Sequence, residues 1–299
     1  MQHAPSSIDV HQHLWPAEFV DALRSRRDTP RLDGWTLYLS GEPAYEVQPE
    51  AHDVALRAAR EADCDRVLIA LSSPLGIEDL EPAEAEPLLA AWHKGAGTFP
   101  PSFGAWASTS RTEPDLAQLR ALLDQGFVGL QIPANWMATP SALERSAELL
   151  RVCELARKPV LVHPGPAGGH RAEPPWWPAV VDYPAQMQAA WWAWQAIGRS
   201  LLPELRICFA IGAGLAPVHE ERFASRSGRS MRLDPNTFVD TASYGRRGLD
   251  SLIRVLGIDP IVLGSDRPYT EPTDPDLGTA ATHAIRVVNP RRLLEGGRT

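Results

Sequence analysis

Ile8-Asp9-Val10-His11-Gln12-His13 begins with a short apolar run and ends in two histidines one residue apart. Side chains alternate along a strand, so His11 and His13 leave it on the same side. Two later runs end in a similar way. Pro159-Val160-Leu161-Val162-His163 delivers a third histidine, and Ile261-Val262-Leu263-Gly264-Ser265-Asp266 delivers a carboxylate. Each of the three runs places a metal-ligand type of residue at its C-terminal end. A parallel β/α barrel assembles its active site in this way.

The rest of the chain repeats the alternation. Strand-like runs lie at 7–10, 66–71, 103–107, 128–132, 160–163, 206–210, 237–240 and 261–264. Helical patterns fall between them at 49–62, 84–94, 113–125, 141–156, 184–200, 215–223 and 248–256. A last helix is expected within 277–287, with a short turn at 289–294. Alternating strands and helices predict a parallel sheet. Eight such units in 299 residues favour a closed (β/α)8 TIM barrel, somewhat distorted, over a doubly wound open sheet. The chain reads as one domain, 1–299.

Local signals place several boundaries. Ser141 followed by Glu144 has capping-box spacing and predicts a helix start. Gly126 and Gly257 suit helix C′ positions. Pro203, Pro235 and Pro260 precede strands, where a missing N–H costs little. The stretches 28–49 and 164–178 follow strand ends and read as loops over the catalytic face. The helix carrying Trp191, Trp192 and Trp194 reads as core or as a homodimer contact.

Composition narrows the function class. Hydrophobic residues make up 44% and charged residues 22%, ordinary for a soluble globular protein. A net charge of −8 without a basic stripe argues against nucleic-acid or anionic-membrane partners. The three cysteines, Cys64, Cys153 and Cys208, form no C-x-x-C pair and suit a reducing compartment. No leader-like or membrane-spanning run is evident, so the expected location is the cytoplasm.

His11, His13, His163 and Asp266 supply three nitrogens and one oxygen. That donor set suits one divalent metal, zinc first, with manganese, iron or cobalt also acceptable. Each residue has a bland reading as well: a satisfied surface pair, a buried histidine bonded to a carbonyl, a turn aspartate before Pro268. Their shared place at strand ends favours the ligand reading.

With these fragments in order, the chain resembles the amidohydrolase superfamily, in its amidohydrolase-related branch of metal-dependent decarboxylases and lactonases. The resemblance rests on residues 8–15, on Leu161-Val162-His163-Pro164, on Gly264-Ser265-Asp266-Arg267-Pro268 and on Asn289-Pro290-Arg291-Arg292-Leu293-Leu294. It implies a barrel with His11, His13, His163 and Asp266 as metal ligands. Two-metal members carry a lysine at the end of the fourth strand. Here that strand reads Val128-Gly129-Leu130-Gln131-Ile132, which implies a single ion. The family's sixth-strand histidine is replaced by Ile211, in Cys208-Phe209-Ala210-Ile211-Gly212-Ala213-Gly214. Isoleucine neither binds metal nor moves a proton.

His219 is the nearest candidate replacement, with a first-turn surface histidine as the equal alternative. Glu221 and Arg222 could orient it. Trp136, Tyr244 and Arg267 follow strand ends and are candidate substrate contacts, arginine as a bidentate carboxylate binder. His52, His93, His170 and His283 show no partner pattern, and only His170 falls on an expected catalytic-face loop.

The resulting expectation is hydrolysis of a small lactone, amide or ester. The metal activates water, Asp266 takes its proton and His219 serves the leaving group. The first alternative is metal-dependent non-oxidative decarboxylation of an aromatic or unsaturated acid. The second is a non-catalytic metal-binding scaffold.

Overall fold

The computed structural model describes residues 7–61, 64–168, 173–272 and 276–297. Eleven strands are present in them: β1 Ile8–His13, β2 Arg31–Asp33, β3 Thr36–Tyr38, β4 Tyr45–Glu46, β5 Arg66–Ala70, β6 Phe103–Ala105, β7 Leu130–Pro133, β8 Val160–His163, β9 Ile207–Phe209, β10 Thr237–Asp240 and β11 Ile261–Val262. Eight of these coincide with the eight strands expected from the sequence. The remaining three, β2 to β4, form an antiparallel sheet within the predicted loop 28–49.

All eight core strands run parallel, in two arcs of β1-β5-β6 and β7-β8-β9-β10-β11. Backbone hydrogen bonds join the arcs at both ends. Between β6 and β7, Val128 N–H reaches Ala105 O (2.9 Å), Ala107 N–H reaches Gly129 O (2.8 Å), and Gln131 N–H reaches Ala107 O (2.8 Å). Beyond β11, Val10 N–H reaches Leu263 O (2.8 Å), Asp266 N–H reaches His11 O (2.9 Å), and His13 N–H reaches Arg267 O (2.7 Å). The sheet is therefore a closed ring.

Strand interiors such as Val67–Leu71, Val160–Val162 and Ile207–Ala210 are buried on both faces, as parallel strands covered by helices require. Trp92 and Trp106 fill the space around the first three core strands; the Trp106 indole donates to Val10 O at 3.0 Å. Gly129, at the β6–β7 seam, is crowded from the β8 side by Pro159 and from the β6 side by Trp106. A Cβ built on Gly129 would lie 2.1 Å from Pro159 O and 2.7 Å from the Trp106 ring.

The helices follow the predicted order, with corrections at their ends. Pro140–Leu155 is capped by Thr139, whose hydroxyl accepts from Ala142 N–H at 3.1 Å. The Ser141–Glu144 pair lies inside that helix, because Pro140 takes the first helical position, where its missing N–H is harmless. Gly126 and Gly257 have φ of +112° and +76°, as expected at helix ends. A helix at Ala17–Ser25 was not anticipated. It has no side-chain N-cap and is held by burial of Phe19, Val20 and Leu23. The tryptophan-bearing helix Tyr183–Ala193 and its continuation bury Trp191 and Trp194 inside the chain, while Trp192 stacks on Phe223. This accounts for those rings as core and removes the sequence argument for a dimer contact. No helix among the described residues is long and apolar enough to cross a membrane.

Gly129→Ala should lower the unfolding free energy by about 2 kcal/mol or more, since neither the carbonyl nor the indole can yield without opening the seam. Urea denaturation of the two proteins measures this directly.

Candidate metal centre

His11 and His13 at the end of β1, His163 at the end of β8 and Asp266 just beyond β11 converge at one point, with their donor atoms within 4.8 Å of one another. His11 Nε2 lies 3.2 Å from His13 Nε2, and Asp266 Oδ1 lies 3.1 Å from His13 Nε2 and 3.5 Å from His11 Nε2. The three rings meet edge to face, with centroids 4.8–5.1 Å apart.

Each ring is oriented through its other nitrogen. His11 Nδ1 donates to Asp240 Oδ2 at 2.7 Å, His13 Nδ1 to Ala70 O at 3.0 Å, and His163 Nδ1 to Pro164 O at 2.8 Å. Carbonyl oxygens only accept, so Nδ1 of His13 and of His163 carries the proton, and a carboxylate imposes the same on His11. All three Nε2 atoms then face inward with lone pairs. Lone pairs 3.2 Å apart repel unless a cation or a proton lies between them.

The spacing fits a metal ion. Donors about 2.0–2.2 Å from one divalent ion sit about 3.0–3.5 Å apart at neighbouring vertices. The N,N,N,O set suits zinc, manganese or iron. The second ion of the two-metal pattern has no ligand here. Gln131, near the fourth-strand position, donates its amide to Leu71 O (2.7 Å) and to Ser73 Oγ. The cluster of His11, His13, His163 and Asp266 is the one such group among the described residues.

Electrostatics point the same way. Burial opposes charge on His11, but the hydrogen bond and negative charge of Asp240 outweigh it and raise the ring to about 9. Burial pushes His13 and His163 down, so they stay neutral. Burial alone would raise Asp266; the His13 hydrogen bond and the surrounding rings bring it below the usual carboxylate range. Without a metal the cluster therefore carries its positive charge as a proton on His11, which a divalent ion would replace.

Asp9 is not a ligand. Its Oδ1 accepts from His11 N–H and Ser265 N–H, both at 3.1 Å, and its Oδ2 accepts from Gln12 Nε2 at 2.8 Å. It splints the two ligand-bearing strand ends. Asp266 itself has φ +60°, a left-handed conformation held by its own backbone bonds, Asp266 N–H to His11 O (2.9 Å) and Tyr269 N–H to Asp266 O (3.0 Å).

The sixth barrel strand, β9, runs into a longer left-handed stretch. Ile211, Gly212, Ala213, Gly214 and Leu215 have φ between +44° and +60°. Ile211 is buried and apolar. His219 does not substitute for a histidine there. It is exposed at the start of the helix Glu220–Ser227, and its ring makes no hydrogen bond or ion pair among the described residues. Glu221 is exposed too. The left-handed turn sets where the chain leaves the strand, and residue 219 falls at the surface rather than over the cluster.

The other candidates divide. Tyr244 is half-buried and packs over the left-handed turn, against Gly212. Trp136 is buried, its indole donating to Asp79 Oδ1 at 2.9 Å. Arg267 is committed to Glu61 and Glu271, so its guanidinium is not free for a substrate carboxylate. His93 accepts from Ser108 N–H, and His283 is exposed. His170 lies outside the described residues.

Asp240 was missed by sequence reasoning. It ends the buried run Thr237–Asp240, the same signal that picked out His163. A second buried polar group, Glu78 with Ser73, Ser108 and Gln131, was also missed. Ser73 Oγ–H donates to Glu78 Oε1, and burial lifts the carboxyl to about 7.

Metal binding must displace the His11 proton, so affinity should rise about tenfold per pH unit up to about 9. Calorimetric titration with zinc or manganese in two buffers of different ionisation enthalpy should count about one proton released. Asp240→Asn should weaken metal affinity by about 10–100-fold while leaving all four ligands in place; competition with a chromogenic chelator measures it.

No curated protein matches the chain. Solved structures do. The apo IDCase of Metarhizium anisopliae is 18% identical over 97% of each chain, with TM-score 0.77. The 5-carboxyvanillate decarboxylase of Novosphingobium aromaticivorans, with bound manganese and a nitrobenzoic acid, is 17% identical over 98% of each chain, with TM-score 0.75. The 2,6-dihydroxybenzoate decarboxylase of Rhizobium is 16% identical over 98% of this chain and 99% of its own, with TM-score 0.71. These likenesses establish a shared fold. The amidohydrolase family model matches residues 8–294, and the chain belongs to that family.

Proposed function

We propose that this protein is a metal-dependent decarboxylase of a small aromatic or unsaturated carboxylic acid. Decarboxylation thus moves ahead of the hydrolysis favoured by sequence alone. The observation that carries it is the scarcity of proton carriers at the cluster. The three histidines have their Nδ1 protons committed to Asp240, Ala70 O and Pro164 O, and Ile211 stands at the sixth strand end. Asp266 is left as the group able to move a proton. Loss of CO2 from a carboxylate needs one proton delivered to the carbon that keeps the electron pair. The decarboxylases that share the fold support the same choice.

His11, His13, His163 and Asp266 would hold the ion, which supplies positive charge to anchor substrate oxygens and to stabilise charge developing as the C–C bond breaks. Manganese or zinc is the ion of choice, manganese being bound in one of the similar structures. Asp266, ionised in the free site, would take up one proton from solvent when the substrate binds and pass it to the carbon as the bond to CO2 breaks, which returns it to the carboxylate. Asp240 and the two carbonyls keep the Nε2 lone pairs inward throughout. Ile211 walls the sixth-strand side with apolar surface, which disfavours water near the departing CO2.

Hydrolysis of a lactone, amide or ester is the second reading. It is favoured by the 3.1 Å approach of Asp266 to His13, which puts a base beside the cluster. The proposal includes a small-molecule substrate and a cytoplasmic location; a homodimer is compatible with it.

Metal-loaded protein incubated with hydroxybenzoic acids and, separately, with small lactones decides between them. CO2 release is expected, with Asp266→Asn reducing turnover at least about 100-fold. Opened lactones with no CO2 from any acid would make the hydrolase reading the correct one.

A further inference from the structure

Beside the metal cluster lies a cleft of about 370 Å³, lined among others by His52, Arg57, Tyr45 and Tyr269. Two of these side chains also border the metal centre. The Tyr269 ring lies 5.4 Å from that of His13, and Arg57 Nη1 donates to His13 O at 2.8 Å. The cleft is thus next to the cluster and shares a wall with it.

His52 is built into that wall with unusual definition. Its ring stacks on Trp15, with centroids 4.3 Å apart and planes 12° apart, and lies parallel to Trp35 at 6.1 Å. Trp15 N–H donates to His52 Nδ1 at 3.1 Å. Trp15 is anchored in turn by its indole, which donates to Ser72 Oγ at 3.0 Å; the Tyr269 hydroxyl meets the same Ser72 oxygen at 3.5 Å. A nitrogen that accepts an amide N–H carries no proton. The His52 proton therefore sits on Nε2, which has no hydrogen-bond partner among the described residues and belongs to a ring lining the cleft. Burial and the charge of Arg57 hold the ring near a pKa of about 3, so it remains a neutral donor across the physiological range.

The charges around the cleft balance. Arg57 and Arg60 are cationic, Glu50 and Glu271 anionic, and Arg60 pairs with Glu271. Arg57 is occupied by Gln12 Oε1, His13 O and Ala51 O. A cleft with no net charge and one fixed neutral donor selects an uncharged acceptor oxygen.

We propose that His52 Nε2–H is a specificity-determining contact, receiving a hydroxyl, ether or carbonyl oxygen on the part of the substrate remote from its reacting carboxylate. This rests on the aromatic-acid reading above for the identity of the whole substrate, but the subsite itself is tested without it.

The test uses the metal-loaded full chain labelled with ¹⁵N-histidine, and phenol and toluene as probes. Neither probe carries a carboxylate, so binding is independent of any reaction at the metal. Long-range ¹H–¹⁵N spectra, with His52 assigned by its loss in His52→Phe, should show Nδ1 unprotonated and Nε2 protonated. Phenol should shift the His52 Nε2–H resonance and toluene should not. Phenol should bind about 2–10-fold more weakly to His52→Phe, the range of one neutral hydrogen bond. His52→Gln retains both an acceptor for Trp15 and a donor toward the cleft, and should recover part of the loss. An Nδ1–H tautomer, or a His52 signal indifferent to phenol while other cleft residues respond, overturns the proposal, as does a signal indifferent to phenol with no response anywhere in the cleft. Failure of CO2 release in the separate turnover assay would instead overturn the decarboxylase reading and leave the subsite standing.

Discussion

Three imidazole lone pairs and a carboxylate oxygen directed at one buried point are unstable without positive charge among them, and much of the structure serves to enforce that convergence. Asp240, Ala70 O and Pro164 O fix the ring tautomers from outside. Asp9 ties the main chain of β1 to that of Ser265. The left-handed backbone at Asp266 aims its carboxylate inward. Each of these gives up local freedom or buries a polar group. The return is a preorganised cavity for a cation.

The strand-end rule made most of this legible beforehand. A polar residue after a buried apolar run picked out His11, His13, His163 and Asp266, and eight such runs implied the barrel. The same rule would have found Asp240, which ends the run Thr237–Asp240. Nothing in the sequence announced its partner, because the contact spans 229 positions. His52 was invisible for a related reason. Its partners Trp15 and Trp35 are unremarkable as sequence, and only the folding of β2 to β4 over the first strand end makes a stack of them.

Other readings failed through backbone geometry. His219 looked well placed because distance along the chain from the sixth strand is short. The left-handed turn at Ile211–Leu215 redirects the chain and leaves residue 219 exposed. Conformations of this hand cost roughly 1–2 kcal/mol per non-glycine residue, and Ile211, Ala213 and Leu215 all adopt it. Packing of Tyr244 and of the Pro184 backbone against the intervening glycines holds the turn. The capping pair at Ser141 failed more simply, since Thr139 and Pro140 together make a better start.

The seam between the first and last strands has a bearing on how the protein is made. His11 and His13 leave the ribosome about 250 residues ahead of Asp266, and the hydrogen bonds that join Val10, His11 and His13 to residues 263–267 close the ring at that place. A nascent chain halted before the last strand has an open barrel edge and, at most, an incomplete ligand set. Metal uptake then waits for the segment that carries Asp266, and a bound ion reports that both ends of the sheet have met.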